Sequence, residues 1–222
     1  MRVLIVSQYF WPESFRINDV AKTLLEKGIE VEVLTGKPNY PRGEIFAGYC
    51  AWDCQRETHQ GIDITRIPLL ARGCSAVRLA GNYLSFVASG LLIAPWMLRG
   101  KKIDVIFIYA PSPVLQAIPA IFLGWIKGCP VVLWVQDLWP ESFSATGHVQ
   151  NLAILKLVRW VVRFIYGHVD LLLVQSRAFE ARVRILAGNT PIAYYPNSVD
   201  DIFAQSACGE PPVVEGLDHG FP

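Results

Sequence analysis

Residues 1–35 read MRVLIVSQYFWPESFRINDVAKTLLEKGIEVEVLT, and this stretch decides the fold. Arg2 to Val6 reads as a strand, its run Val3 to Val6 apolar without a break, the pattern of a strand buried on both faces. Glu13 to Lys27 then sets apolar residues at helical spacing and stops at Gly28, and Glu30 to Thr35 supplies a second strand. Strand, helix, strand is the opening of a βαβ unit, in which the two strands lie parallel.

The alternation continues outward from that unit. A loop over Lys37 to Gly43 precedes a strand at Ile62 to Pro68, an apolar helix, and a strand at Asp104 to Tyr109. A helix over Val114 to Lys127, a strand at Val131 to Val135, a helix from Asn151 to Tyr166 and a strand at Asp170 to Val174 follow. A helix through Leu186 and a strand at Ile192 to Tyr195 complete the series. Such regularity predicts an α/β fold with a doubly wound, mostly parallel sheet of the Rossmann-like kind. Residues 1–200 form this domain, and 201–222, rich in Gly, Pro and acidic residues, read as linker.

With 222 residues and 52% hydrophobic content, the chain can bury one large core, and no second full domain fits after residue 200. A formal charge of +1 gives no global pull toward nucleic acid, so attraction to anions must come from local groups such as Lys101 and Lys102 or Arg159 and Arg163. The five cysteines are scattered among apolar neighbours, and most are expected to be buried reduced thiols. Cys50, Cys54 and His59 offer no fourth ligand for a closed zinc site, so no metal is expected. The N-terminus lacks a small-residue cleavage site, which points to a cytoplasmic chain. Leu79 to Leu98 is uncharged and long enough for a bilayer, but Asn82, Ser85, Ser89 and Pro95 interrupt it and a crossing would divide the sheet. It is read as a buried or membrane-grazing helix.

Open parallel sheets bind ligands beyond the carboxyl ends of their strands. After the first strand, Ser7 to Glu13 has no glycine to admit a pyrophosphate, which disfavours a nicotinamide or flavin domain. Trp11 and its neighbours either form a platform for a sugar or cap the sheet. After the second, Lys37 to Gly43 combines two prolines with Asn39, Tyr40 and Arg42, whose forked guanidinium suits a diphosphate. Ser112, after the strand ending at Tyr109, is read as a helix N-cap. After Val131 to Val135 come Gln136, Asp137, Trp139 and Glu141, which put two carboxylates at the crevice. Asp137 is placed to orient an attacking hydroxyl or accept its proton, and Glu141 to hold acceptor hydroxyls or tie the turn.

Together these segments resemble the N-terminal domain of the family 4 retaining GT-B glycosyltransferases, especially the bacterial branch that builds O-antigen and capsule repeats, and within it the N-acetyl-L-fucosamine transferases. The resemblance rests on the Pro-Glu turn of Tyr9 to Glu13 followed by Arg16, on Gly28 with the strand Val31 to Thr35, on the loop Pro38 to Gly43, and on the run Asp137 to Ser142. It also rests on the hinge Pro196-Asn197-Ser198-Val199-Asp200, where Ser198 replaces the usual Gly. Two positions depart from the family pattern. Ser14 to Asn18 stands where many members carry Gly-Gly, leaving Arg16 or Asn18 as replacements, and Gln136 stands where many have His. Glutamine is no base at neutral pH.

The resemblance implies the N-terminal half of a GT-B fold. It implies Asp137 and Gln136 as catalytic-site residues that orient, in a front-face displacement whose leaving diphosphate takes the acceptor proton. Trp11, Glu13, Arg16, Asn18, Asn39, Tyr40, Arg42, Trp139 and Glu141 are implied in acceptor binding, and Asn197 and Asp200 in the hinge. The implied partners are a polyprenyl-diphosphate-linked sugar acceptor, a nucleotide sugar held by a second domain absent from this sequence, and the inner face of the bacterial membrane. The nucleotide sugar is substrate, and no cofactor is implied. Lys156, Arg159 and Arg163 recur at helical spacing beside Leu152, Leu155, Trp160 and Phe164, so that helix either rests on a membrane or packs with a solvated basic edge. A rival reading is a noncatalytic sugar or lipid-diphosphate binding subunit that works with a separate donor-binding chain.

Overall fold

The computed structural model describes residues 1–139, 141–142 and 151–197. Eight strands form one sheet in the order β3-β4-β2-β1-β5-β6-β7-β8. The strands are β1 (Arg2–Val6), β2 (Glu30–Thr35), β3 (Gln55–His59), β4 (Ile62–Arg66), β5 (Val105–Ala110), β6 (Val131–Val135), β7 (Leu171–Val174) and β8 (Ile192–Tyr194). All neighbours pair parallel except β3 with β4. The α/β, mostly parallel architecture read from the alternation is therefore the observed one. β3 was not foreseen, because Gln-Arg-Glu-Thr-His lacks an apolar face and earns its strand from pairing with β4 at the sheet edge.

The helices are α1 (Arg16–Glu26), α2 (Ala76–Leu92), α3 (Ala94–Met97), α4 (Ala117–Lys127, preceded by a 3₁₀ turn at Val114–Gln116), α5 (Leu152–Gly167) and α6 (Arg177–Ala187). The first helix begins at Arg16 rather than Glu13, since Phe10 to Glu13 forms a turn closed by the Glu13 N–H donating to the Phe10 carbonyl at 3.1 Å. It ends as expected, at Gly28 with φ +77°, a conformation that suits glycine. Leu79 to Leu98 is not one helix. Pro95 falls in the first turn of α3, where a missing N–H is tolerated, and the chain breaks at Ile93 between α2 and α3. Among the described residues no helix is long and apolar enough to cross a membrane.

Chain direction fixes the layers. The step from β1 to β2 runs one way along the sheet, and the steps from β5 to β8 run the other, so right-handed crossovers put α1 on one face and α4, α5 and α6 on the opposite one. α2 packs beside α4. Leu4, Ile106, Leu133 and Leu172 point from successive strands into the core beneath these helices, together with Phe86 and Val162. Burying a side chain such as Phe86 contributes about 1.5–3 kcal/mol. At the α2–α4 crossing, Gly90 leaves no space for a side chain, because a Cβ there would stand 2.6 Å from the Pro119 ring. On the other face α1 covers Val3, Ile5, Val31 and Val33.

Four cysteines are free thiols, and Cys50, Cys54 and Cys74 are exposed while Cys129 is partly buried. The expectation of mostly buried thiols is thus corrected: those three lie in surface loops outside the strands and helices that build the core. Cys208, Asp200 and the tail 201–222 lie outside the described residues.

Candidate active site

The topological switch falls between β1 and β5, and the loops after β1, β2, β4 and β5 converge there. A buried amide network closes it. The Gln8 N–H donates to Gln116 Oε1 at 2.6 Å, Gln8 Nε2 donates to Asn82 Oδ1 at 2.5 Å, and Asn82 Nδ2 donates to the Leu70 carbonyl at 2.5 Å. Gln8 Oε1 is left buried with no partner among the described residues. Native structures rarely leave such an acceptor empty, so this is where a ligand hydroxyl would be welcome.

Beside this network lies an aromatic and cationic cluster. Tyr9 stacks on Phe15 at 5.1 Å between ring centroids and leans on Tyr40 at 5.8 Å, while the Arg72 guanidinium sits over the Tyr40 ring at 5.3 Å. The Tyr9 hydroxyl faces Tyr83 and Arg72, and Tyr83 also reaches Ser112. Burial pushes both phenols above their ordinary range, with Arg72 pulling the other way. Tyr9 and Tyr83 therefore stay neutral, and the buried Tyr9 hydroxyl has no hydrogen-bond partner among the described residues.

The loops holding this cluster are pinned by buried charges. Glu13 Oε1 accepts the backbone N–H groups of Asn39 at 2.8 Å and Tyr40 at 2.7 Å, and burial raises its pKa while those bonds oppose the shift. Asn39 Nδ2 donates to the Lys37 carbonyl at 2.7 Å, and Asn39 Oδ1 accepts from the Arg72 N–H at 3.2 Å. Arg66 is fully buried, pairs with Glu57, and donates to the carbonyls of Gly36 and Trp11. Lys37 is fully buried and paired with Asp53. The Lys37 ammonium also donates to Gln55 Oε1 at 3.3 Å, so it is committed to the segment that leads into β3. Arg42 instead lines an open groove of about 550 Å³ with Arg78, Glu44 and Cys74, at the start of α2.

A second cluster gathers at the ends of β6, β7 and β8. Asp137, half-buried, accepts a hydrogen bond from the Ser142 hydroxyl. The Gln136 carbonyl accepts from Gln175 Nε2 at 2.7 Å, and Gln175 Oε1 accepts in turn from Asn197 Nδ2. Gln136 Nε2 is buried with no partner among the described residues. Trp134, on the strand leading here, donates Nε1–H to the Tyr195 carbonyl at 3.0 Å.

The glycosyl transferase 4-like domain matches residues 14–198. The chain belongs to this family. It is 24% identical over 159 residues to the putative colanic acid biosynthesis glycosyl transferase WcaI of Escherichia coli K12, an alignment that spans 66% of this chain and 37% of that protein. The sucrose-phosphate synthase fragment of Thermosynechococcus elongatus superposes with a TM-score of 0.59 at 13% identity, over 93% of this chain and 96% of that one. Anabaena HepE, solved with UDP and glucose, gives 0.51 at 16% identity over 90% of this chain and 45% of its own. Trehalose 6-phosphate synthase of Burkholderia multivorans gives 0.56 at 12% identity, over 93% of this chain and 51% of its own. These likenesses establish the GT-B glycosyltransferase fold, and the chain spans well under half of WcaI and about half of HepE and the trehalose enzyme.

Within this glycosyl transferase 4-like domain the residues singled out in the sequence divide into groups. Glu13, Asn39 and Tyr40 meet directly, and Tyr40 joins Arg72 and Tyr9. Asn18 spends its amide on the turn, accepting from the Trp11 N–H at 3.1 Å and donating to the Glu13 carbonyl at 2.8 Å. Arg16 pairs with Asp19 and faces Tyr109, and Trp11 stacks on His59 at 3.8 Å. Asp137, Gln136 and Asn197 lie together in the second cluster, with Trp139 packed on the core and Glu141 half-buried beside Ser142. Ser112 is not a helix cap: the 3₁₀ turn has Pro113 at its cap position with no side-chain bond, and Ser112 turns to Tyr83 instead. Gln8, Arg72, Tyr83 and Gln175 were missed. Arg72 follows the end of β4, so extending the strand-end rule to that strand was the signal that would have found it.

Proposed function

We propose that this domain is the acceptor-binding half of a retaining glycosyltransferase that moves a sugar from a nucleotide donor to a polyprenyl-diphosphate-linked glycan during O-antigen or capsule synthesis. The donor is a UDP-linked aminosugar or deoxysugar, N-acetyl-L-fucosamine being the case suggested by the motif resemblance. The observation that carries the reading is the side-chain cluster at the switch point. The Arg72 guanidinium stands over the Tyr40 ring and beside the neutral phenols of Tyr9 and Tyr83, with the unpartnered Oε1 of Gln8 on the residue before Tyr9, and a guanidinium among aromatic and hydroxyl groups is suited to a sugar next to a phosphate. The family match and the likeness to a colanic acid transferase support the same class.

In this reading the acceptor sugar lies against Tyr9 and Tyr40, Arg72 holds an adjacent phosphate oxygen, and the Arg42 and Arg78 groove takes the rest of the diphosphate. Asp137 orients the attacking hydroxyl from the second cluster, fixed by Ser142, and Gln136 lends its amide. Neither side chain must take the proton, because the leaving diphosphate of the donor accepts it as the new glycosidic bond forms on the same face. The donor is held by a second domain outside this sequence, across the hinge at Asn197 and Asp200, and the lipid acceptor places the complex on the inner membrane surface. No cofactor besides the donor substrate enters.

The test is transfer of labelled sugar from a panel of uridine nucleotide sugars to polyprenyl-diphosphate glycans, using the polypeptide as its full reading frame encodes it. Transfer that Asp137→Asn lowers by about a hundredfold or more supports the reading. Failure of the polypeptide to transfer, alone or with a separate donor-binding chain, overturns the catalytic assignment; binding of the acceptor without transfer would then favour the noncatalytic subunit.

A further inference from the structure

α2, α4 and α5 lie side by side on one face of the sheet, and with α3 they carry no aspartate or glutamate. The helices elsewhere do: Asp19 and Glu26 are on α1 and Glu180 on α6. Arg78 on α2, Arg99 after α3, and Lys156, Arg159 and Arg163 on α5 are exposed and have no acidic partner among the described residues. Between these cations large apolar side chains stand in solvent. Leu92 is 78% exposed, Trp96 77%, Trp125 60%, Leu157 59% and Trp160 64%.

This face is continuous. Trp125 of α4 meets His168 edge-on at 5.8 Å, His168 meets Phe164 at 4.2 Å, and Phe164 stacks with Trp160 at 6.2 Å, joining α4 to α5. On its other side, Lys127 Nζ donates to the carbonyls of Leu98 and Lys101, fastening the end of α4 to the segment after α3. Exposed tryptophans beside unpaired cations are the composition of a surface that sits at a lipid–water boundary, with indole rings at headgroup depth and cations among phosphates. Among the described residues no helix is long and apolar enough to cross a bilayer. A second copy of the chain is a poor occupant, because it would bring the same acid-free face and its cations against themselves.

We infer that the outer face of α2, α3, α4 and α5 docks as a unit on an anionic phospholipid bilayer, with Trp96, Trp125 and Trp160 in the interface and Arg99, Lys156, Arg159 and Arg163 on the headgroups. The inference deepens the membrane-surface element of the proposed function by assigning it to four helices rather than to α5 alone, and it needs neither donor nor acceptor.

The experiment is co-sedimentation of the 222-residue chain with vesicles of phosphatidylcholine alone or mixed with phosphatidylglycerol, free of polyprenyl lipid. Binding is expected only to the anionic vesicles, falling with added salt. Lys156→Gln/Arg159→Gln/Arg163→Gln is expected to weaken it about tenfold or more, and Trp96→Ser/Trp125→Ser to weaken it comparably, because both sets belong to one face. Lys22→Gln/Lys27→Gln, at α1 on the opposite side, is expected to leave it unchanged. Equal binding to neutral vesicles, loss that tracks the α1 variant, or indifference to the α3–α4 tryptophans overturns the inference. So does concentration-dependent self-association through this face without vesicle binding. Circular dichroism on each variant separates lost docking from lost folding. Sugar transfer measured in detergent reads the proposed function separately, so either can fail while the other stands.

Discussion

Glu13 accepts the backbone N–H of Asn39 at 2.8 Å, across 26 positions of sequence, and with the same oxygen that of Tyr40 at 2.7 Å. One carboxylate thereby joins the turn after β1 to the loop after β2 and aims Tyr40 at Tyr9 and Arg72. Its second oxygen is buried with no partner among the described residues, and burial lifts its pKa against the pull of the Asn39 and Tyr40 N–H groups.

Glu13→Ala removes the acceptor and strands two N–H groups, one of them buried, and is expected to cost about 2–4 kcal/mol in urea unfolding. Glu13→Gln keeps a carbonyl oxygen in place and is expected to cost much less. The pH dependence separates the variants further. A carboxyl whose folded pKa is raised binds more protons in the native state, so its contribution to stability falls as pH rises from its unfolded value, 4.5, through the folded one. Stability measured across that window is expected to decline in the parent more than in Glu13→Gln.

The α2–α4 crossing gives a second expectation. Gly90 and Gly81 are both in α2, but a Cβ at 90 would stand 2.6 Å from Pro119 whereas one at 81 meets only Leu70 Cδ1 at 3.5 Å. Helix propensity alone favours alanine at either place by about 1 kcal/mol. Gly81→Ala is therefore expected to raise the thermal midpoint by about 2–4 °C. Gly90→Val is expected to lower stability by about 1–3 kcal/mol, since a proline ring in a packed crossing cannot swing aside.

The contrast between β1 and β3 shows what the sequence could announce. Val3 to Val6 of β1 are buried at the centre of a parallel sheet, so these residues are apolar throughout and the strand is legible from composition. Gln55 to His59 lies at the edge, where one partner suffices and the side chains answer to solvent, and its strand state resides in β4 instead. The site divides in the same way. Asp137 and Tyr40 follow strands in marked Pro-rich runs and could be read directly. Gln8 and Asn82 look unremarkable, one beside aromatics and the other inside an apolar helix, and only the fold brings them within 2.5 Å across 74 positions. Arg66 and Lys37 reverse the usual inference from charge: both are fully buried, and they fix loops rather than meet a ligand.

Arg72 has its guanidinium over Tyr40 and beside two phenols, with no carboxylate partner among the described residues. Arg72→Ala is expected to raise the acceptor KM about 10- to 100-fold in the transfer assay, the loss of a charge-assisted hydrogen bond to phosphate, with kcat changed far less. Arg72→Lys keeps the charge and loses the fork, and is expected to fall between. Tyr83→Phe removes the hydroxyl that reaches Ser112 and Tyr9 and is expected to raise KM by less than tenfold. Unchanged KM in Arg72→Ala would remove this residue from the acceptor site.

Gln175 bridges the end of β6 and Asn197, donating to the Gln136 carbonyl at 2.7 Å and accepting from Asn197 Nδ2. If this side chain couples the two, Gln175→Ala and Asn197→Ala each lose one shared bond, and the double variant cannot lose it twice. Each single change is expected to cost about 0.5–1.5 kcal/mol in unfolding, with the double variant less destabilised than their sum by 0.5 kcal/mol or more. The same cycle in kcat of the full reading frame tests whether the bridge matters for transfer. A coupling seen in both stability and kcat would mean that the end of β6 is positioned through the segment after β8, whereas strict additivity in both would leave Gln175 as a loop contact with no part in aligning Gln136 and Asp137.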